Sequence, residues 1–94
     1  MPRRPKKSKY KSVVIKKKRY YYYKITWIDP TGDSGHATHF DSYGLIPSTM
    51  ITHAYLFEKN RKYVWTFASY EEGDELFSDR NVFPIGCIVK MEKI

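Results

Sequence analysis

Apolar and polar positions alternate along much of this chain, with the period of two that is typical of β-strands. The clearest alternating run extends from Tyr20 to Ile28. One face of that extended run would carry four apolar or aromatic residues: Tyr21, Tyr23, Ile25 and Trp27. The opposite face is mixed, beginning with Tyr20 and Tyr22. We expect the first face to pack in the core and the second to be partly open to water.

Three further segments show a strand-like pattern and are predicted to be strands: 50–57, 63–70 and 87–94. The polar segment 58–62 between the first two is short, which favours an antiparallel hairpin. Residues 13–15 are apolar and could add a short β segment. A loop is expected over 71–79 and a tight turn over 81–86. Because no window of about 11 residues shows a helical repeat, the body should be nearly all β.

The expected fold class is all-β: a small, strongly bent antiparallel barrel of four or five strands, since about 75 residues are too few for a two-sheet sandwich. Three motifs carry a resemblance: Trp27-Ile28-Asp29 at a strand end, a central hairpin over 56–65, and Phe83-Pro84-Ile85-Gly86-Cys87-Ile88-Val89. Through these three motifs, residues 20–94 resemble SH3-like and Sm-like small barrels, including small barrel proteins of bacteriophages. The resemblance implies a tight helical turn before the last strand and a viral source. It implies no activity.

Charge is distributed very unevenly. The 94 residues include 17 Lys or Arg and 10 Asp or Glu, a net charge of +7. Residues 1–24 contain eleven of the cations and no acid, whereas residues 25–94 contain all ten acids and six cations. We therefore predict a flexible basic arm over 1–19, disordered up to about residue 12, attached to a domain over 20–94.

Such an arm favours non-specific binding to the phosphates of DNA or RNA, which releases condensed counterions. Tyrosines beside the cations could stack on bases. By alternation, Tyr20 and Tyr22 are the better candidates for this contact. The predicted nucleic-acid-binding residues are Arg3, Arg4, Lys6, Lys7, Lys9, Lys11, Lys16, Lys17, Lys18, Arg19, Tyr20 and Tyr22.

Other chemistries have weaker support. The run Gly32-Asp33-Ser34-Gly35 copies letters around a serine-protease nucleophile, but it is typical of a turn. A metal site is a minor alternative, with Asp33, His36, His39 and Asp41 as its candidates. A single cysteine, Cys87, forbids an intramolecular disulfide. We find no phosphate-binding glycine loop or paired carboxylates, and we expect neither an enzyme nor a cofactor.

Two other functions stay open. The acidic, aromatic-rich body fits a protein-binding module, for example one encoded by a bacteriophage to modulate a host enzyme or defence complex. Edge strands could instead pair into a larger assembly of structural subunits. No apolar run approaches the ~18 residues of a membrane span, so we expect an intracellular protein of the cytoplasm, a host cytoplasm if viral, with a nuclear address possible in a eukaryote.

Overall fold

The computed structural model describes residues 9–73 and 75–94. Four of the predicted contact residues, Arg3, Arg4, Lys6 and Lys7, lie outside this part of the chain. The elements are β1 (Ser12–Ile15), β2 (Lys18–Asp29), the short helix α1 (His39–Ser42), β3 (Ser48–Lys59), β4 (Tyr63–Tyr70), β5 (Phe77–Pro84), a 3₁₀ turn (Ile85–Cys87) and β6 (Ile88–Lys93). No helix within the described ranges has the length and apolar character that crossing a membrane requires.

The described residues form one antiparallel sheet of six strands, in the order β1-β2-β3-β4-β5. Strand β6 pairs with β2 on the edge that β1 also uses. The two short strands lie end to end there, since the amide of Lys11 donates to the carbonyl of Ile94 (2.8 Å) and the amide of Ile94 donates to the carbonyl of Tyr22 (3.1 Å). The all-β class is confirmed. The sheet is not closed, and a closed barrel stays a prediction.

The sheet packs on both of its faces. Paired residues of neighbouring strands share a face, and Tyr22 pairs with Tyr55 whereas Tyr23 pairs with Ala54. The first face carries the aromatic cluster, made of Ile15, Tyr20, Tyr55 and Phe67 with Val13, Tyr22, Phe57 and Phe77 against them. The second face carries the mixed cluster, made of Ile25, Val64 and Phe83 with Tyr23, Trp27, Leu56, Ile88 and Met91 against them.

The predicted strands are confirmed for β1, β2, β3 and β4, and the hairpin across 58–62 is confirmed too. The last strand begins at Ile88, after the helical turn that the barrel resemblance implied. The predictions of a loop over 71–79 and of a turn over 81–86 were wrong in part, because strand β5 occupies Phe77–Pro84. Its polar residues pair with β4, and Phe77 and Phe83 at its two ends reach the two clusters.

Two threonines give a matched test of the core. Thr66 is 1% exposed and its hydroxyl has no hydrogen-bond partner among the described residues, whereas the hydroxyl of Thr52 accepts a 2.9 Å hydrogen bond from the indole nitrogen of Trp27. A buried hydroxyl without a partner destabilises the fold, and so does an indole N–H that loses its acceptor. We expect Thr66→Val to raise the free energy of unfolding by about 1 kcal/mol and Thr52→Val to lower it by about the same amount. Urea denaturation measures both, and a loss of stability in both variants would contradict the packing described here.

Candidate nucleic-acid interface

The first two strands form a tight hairpin at the basic end of the chain. Val13 pairs with Tyr20 and Ile15 with Lys18, which leaves Lys16 and Lys17 as a two-residue turn. Both turn residues have positive φ, 48° and 68°. Such a turn matches the twist of its flanking strands, but it normally uses Asn and Gly. Residues other than glycine resist this left-handed backbone by about 1–2 kcal/mol each.

The hairpin shows that part of the predicted arm belongs to the sheet. Ser12–Ile15 is a strand, and the boundary expected at residue 19 lies inside β2. The short β segment predicted over residues 13–15 is thereby confirmed, and two of its apolar side chains, Val13 and Ile15, lie on the body of the protein. Both pack in the aromatic cluster, where Ile15 is only 8% exposed.

Tyr20 anchors the hairpin. Its ring is 4% exposed, and its centre lies 6.1 Å from that of Phe57, 5.3 Å from that of Phe67 and 5.7 Å from that of Phe77. The expectation that Tyr20 faces water and stacks on a base is wrong, because other aromatic rings surround it. Alternation placed Tyr20 on the correct face but could not show that this face is covered as well.

Four consecutive cations project from the anchored hairpin. Lys16, Lys17, Lys18 and Arg19 are all exposed. In the described residues the one ion pair joins Lys90 and Glu92, so none of these four cations contacts a carboxylate. Arg19 instead donates to the hydroxyl of Ser12 (2.6 Å), and the Nζ of Lys18 lies 5.2 Å from the centre of the Tyr20 ring. Their positive charge is therefore available to a ligand.

A second group of cations lies where β1 and β6 meet. The Nζ of Lys11 is 4.3 Å from the centre of the Tyr22 ring, and Tyr22 is half-buried. Lys11 thus covers Tyr22, the second tyrosine that was predicted to stack on bases. The Nζ of Lys93 is 4.3 Å from the ring of Tyr21 and 5.9 Å from that of Tyr10. Tyr10 is 37% exposed, and the Nζ of Lys9 lies 5.3 Å from its ring.

Sequence reasoning missed the contribution of Lys93 to this group. Lys93 is seventy residues from Tyr23, with which it pairs across β2 and β6. Only the register of that pairing brings Lys93 beside Tyr21, and no local pattern in the sequence indicates it. The basic surface thus includes a cation from the other end of the chain.

An acidic segment lies across from the hairpin. Residues 70–73, with Glu71 and Glu72 exposed, line one side of a shallow groove whose other side is formed by residues 13–16. No carboxylate of the described residues approaches within ion-pair distance of Lys16. Nearby negative charge still lowers the local positive potential, most strongly at low salt. Glu71 and Glu72 therefore weaken the field around Lys16 without forming an ion pair with it.

The predicted metal ligands lie in the exposed loop between β2 and β3. Asp33, His36 and Asp41 line one shallow depression, whereas the ring of His39 packs edge-on against Tyr43, with centres 5.3 Å apart. Within the described ranges, no three His, Cys, Asp or Glu side chains are grouped so that they could hold a metal ion. The protease-like run is a local turn, in which Asp33 accepts a 2.8 Å hydrogen bond from the amide of Gly35.

Comparison with known proteins identifies no family for this chain. No protein-family model, curated protein or solved structure matches it at a significant level. The similarity to SH3-like and Sm-like barrels therefore stays a prediction. What the chain binds must be inferred from the geometry and charge of its own residues.

The lysine turn gives a prediction about stability. Lys16→Asn with Lys17→Gly places the favoured residues in the left-handed positions, and should raise the free energy of unfolding by about 1–2 kcal/mol. Removing two like charges could also stabilise the hairpin, so Lys16→Gln with Lys17→Gln serves as the matched control. We expect the Asn-Gly variant to be more stable than the Gln-Gln variant in urea denaturation. Equal stabilities would show that the turn is not held as described.

Proposed function

We propose that this protein binds nucleic acid non-specifically, and that the β1–β2 hairpin supplies its main phosphate contacts. The observation that carries the proposal is the row of four exposed cations, Lys16 to Arg19, on a hairpin anchored by a buried tyrosine. None of them contacts a carboxylate in the described part of the chain. Pairing with phosphates would release condensed counterions, the main source of free energy in non-specific binding.

The shape of the hairpin supports this assignment. A two-stranded β-ribbon can enter the major groove of duplex DNA or lie along a phosphate backbone. Lysine and arginine at its tip form salt-dependent contacts that position a ligand without reading its sequence. The basic residues before Lys9, namely Arg3, Arg4, Lys6 and Lys7, would add further phosphate contacts.

Base stacking has a smaller part in this proposal than phosphate contact. Tyr20 is buried, and the ring of Tyr22 is half-buried beneath Lys11. Tyr10 is the more exposed ring, and it lies next to Lys9 and Lys93. One base stacked on Tyr10 would contribute about 1–3 kcal/mol, so the protein would bind single-stranded nucleic acid modestly better than duplex.

The test neutralises three hairpin cations and leaves the fold intact. Deleting residues 1–19 would remove β1 and part of β2, so substitution is the sharper experiment. The variant Lys16→Gln/Lys17→Gln/Arg19→Gln keeps Lys18 over the Tyr20 ring. Fluorescence anisotropy with random oligonucleotides of about 20 nucleotides, single-stranded and duplex, at two salt concentrations gives affinity and salt dependence.

The matched control removes three cations that lie away from the hairpin: Arg61→Gln/Lys62→Gln/Lys90→Gln. The carbonyl of Lys62 accepts from the amide of Ile85 at the start of the 3₁₀ turn, and Lys90 pairs with Thr26 across β2 and β6. We expect the hairpin variant to lose about tenfold or more in affinity, with a salt slope shallower by about 2–3, and the control to lose less than about threefold.

Two outcomes would contradict the proposal. Equal losses in both variants would mean that only net charge matters and that the hairpin has no special role. Absence of binding by the unaltered protein at low salt, to either oligonucleotide, would exclude nucleic acid as the ligand.

A further inference from the structure

The loop after β2 holds large apolar side chains in water. Phe40 is 84% exposed, Tyr43 73%, Ile46 69% and Leu45 50%. These four residues lie within seven positions of one another in the sequence. Single exposed apolar residues are ordinary, but a cluster of this kind on a small protein is typical of an interaction surface.

Hydrogen bonds within the loop order the short helix α1 that carries Phe40. The hydroxyl of Thr38 accepts from the amide of Asp41 (3.1 Å), and the hydroxyl of Ser42 donates to the carbonyl of Thr38 (2.9 Å). The amide of Gly44 donates to the carbonyl of Asp41 (3.0 Å). The ring of Tyr43 packs against His39. These contacts are local to residues 38–44, and all of residues 30–47 are exposed, so the apolar side chains of the loop are open to a partner.

Charge indicates which partner fits. Residues 29–47 contain three acids, Asp29, Asp33 and Asp41, and no lysine or arginine. A second copy facing the same loop would bring acids against acids, which disfavours self-association through it. A partner with lysine or arginine around an apolar recess would complement both the apolar side chains and the acids.

We propose that this loop docks a protein partner whose apolar recess is bordered by basic residues. The loop lies at the opposite end of β2 from the basic hairpin. Strand β2 has 12 residues, each adding about 3.3 Å, so about 36 Å of chain lies between its two ends. One molecule can therefore hold a polyanion at one end and a protein at the other, and the proposal does not depend on the nucleic-acid function.

Selection from a library of random peptides displayed on a carrier tests the proposal with a defined probe. The target is the full chain, treated with nuclease. We expect the enriched peptides to combine two or more bulky apolar residues with lysine or arginine. A synthetic peptide of that consensus should bind about tenfold or more weakly to Phe40→Ser/Ile46→Ser. It should bind about threefold or more weakly to Asp33→Asn/Asp41→Asn, with a smaller salt dependence.

Exposed apolar residues elsewhere provide the matched control. Val14 is 51% exposed and Val89 58%, and Val14→Ser/Val89→Ser should bind the peptide as the unaltered protein does. The hairpin variant Lys16→Gln/Lys17→Gln/Arg19→Gln should also retain peptide binding, which separates this proposal from the nucleic-acid one. Circular dichroism confirms that each variant is folded.

Three results would overturn the proposal. The first is no enrichment, or enrichment of peptides that bind Phe40→Ser/Ile46→Ser unchanged. The second is a consensus rich in acids. The third is concentration-dependent self-association in sedimentation that Phe40→Ser abolishes, which would assign the loop to a second copy of the chain.

Discussion

Tyr20 lies where the hairpin meets the aromatic cluster, and the position of the cationic turn depends on that contact. Burying a large aromatic side chain stabilises the folded state by about 1.5–3 kcal/mol, and the aromatic pairs with Phe57, Phe67 and Phe77 add to it. These contributions offset the cost of about 1–2 kcal/mol for each lysine held in a left-handed turn. Without this anchor, Lys16 to Arg19 would belong to a mobile tail whose ordering would weaken binding.

Packing on both faces of the sheet makes this anchor possible in so small a protein. The mixed cluster joins β2, β3, β4, β5 and β6 on one face, and the aromatic cluster joins β1 to β2, β3, β4 and β5 on the other. Strand β2 belongs to both. Strand β2 therefore connects two surfaces of different character: a cationic hairpin that includes its first residues, Lys18 and Arg19, and an apolar, acidic loop after Asp29.

Local patterns in the sequence were sufficient for some parts of this fold. Alternation identified β2 and β4, apolar content identified β3, and a short polar connection identified the hairpin between β3 and β4. Strand β5 was missed because the polar run from Ser78 to Asn81 has no alternating apolar residues, and pairing with β4 determines its structure. Asp79 even adopts a positive φ within that strand, with its carboxylate accepting from the hydroxyl of Ser69.

The candidate site was predictable in its charge but not in its form. The density of lysine between residues 16 and 19 indicated a polyanion ligand, and those side chains are exposed. Alternation shows which residues share a face, but it cannot show that both faces are covered, so Tyr20 was assigned to solvent. Likewise, the approach of Lys93 to Tyr21 depends on strand register, which is a non-local property.

Backbone ¹⁵N relaxation of the free, full-length protein tests the central claim most directly, because it reports whether the basic hairpin is ordered before any ligand binds. Amides of Val13, Ile15 and Tyr20 should show order parameters near those of the central strands, about 0.85. Values below about 0.6 from Ser12 through Arg19, alongside rigid β3 and β4, would show that the cations belong to a mobile arm and would contradict the anchored hairpin.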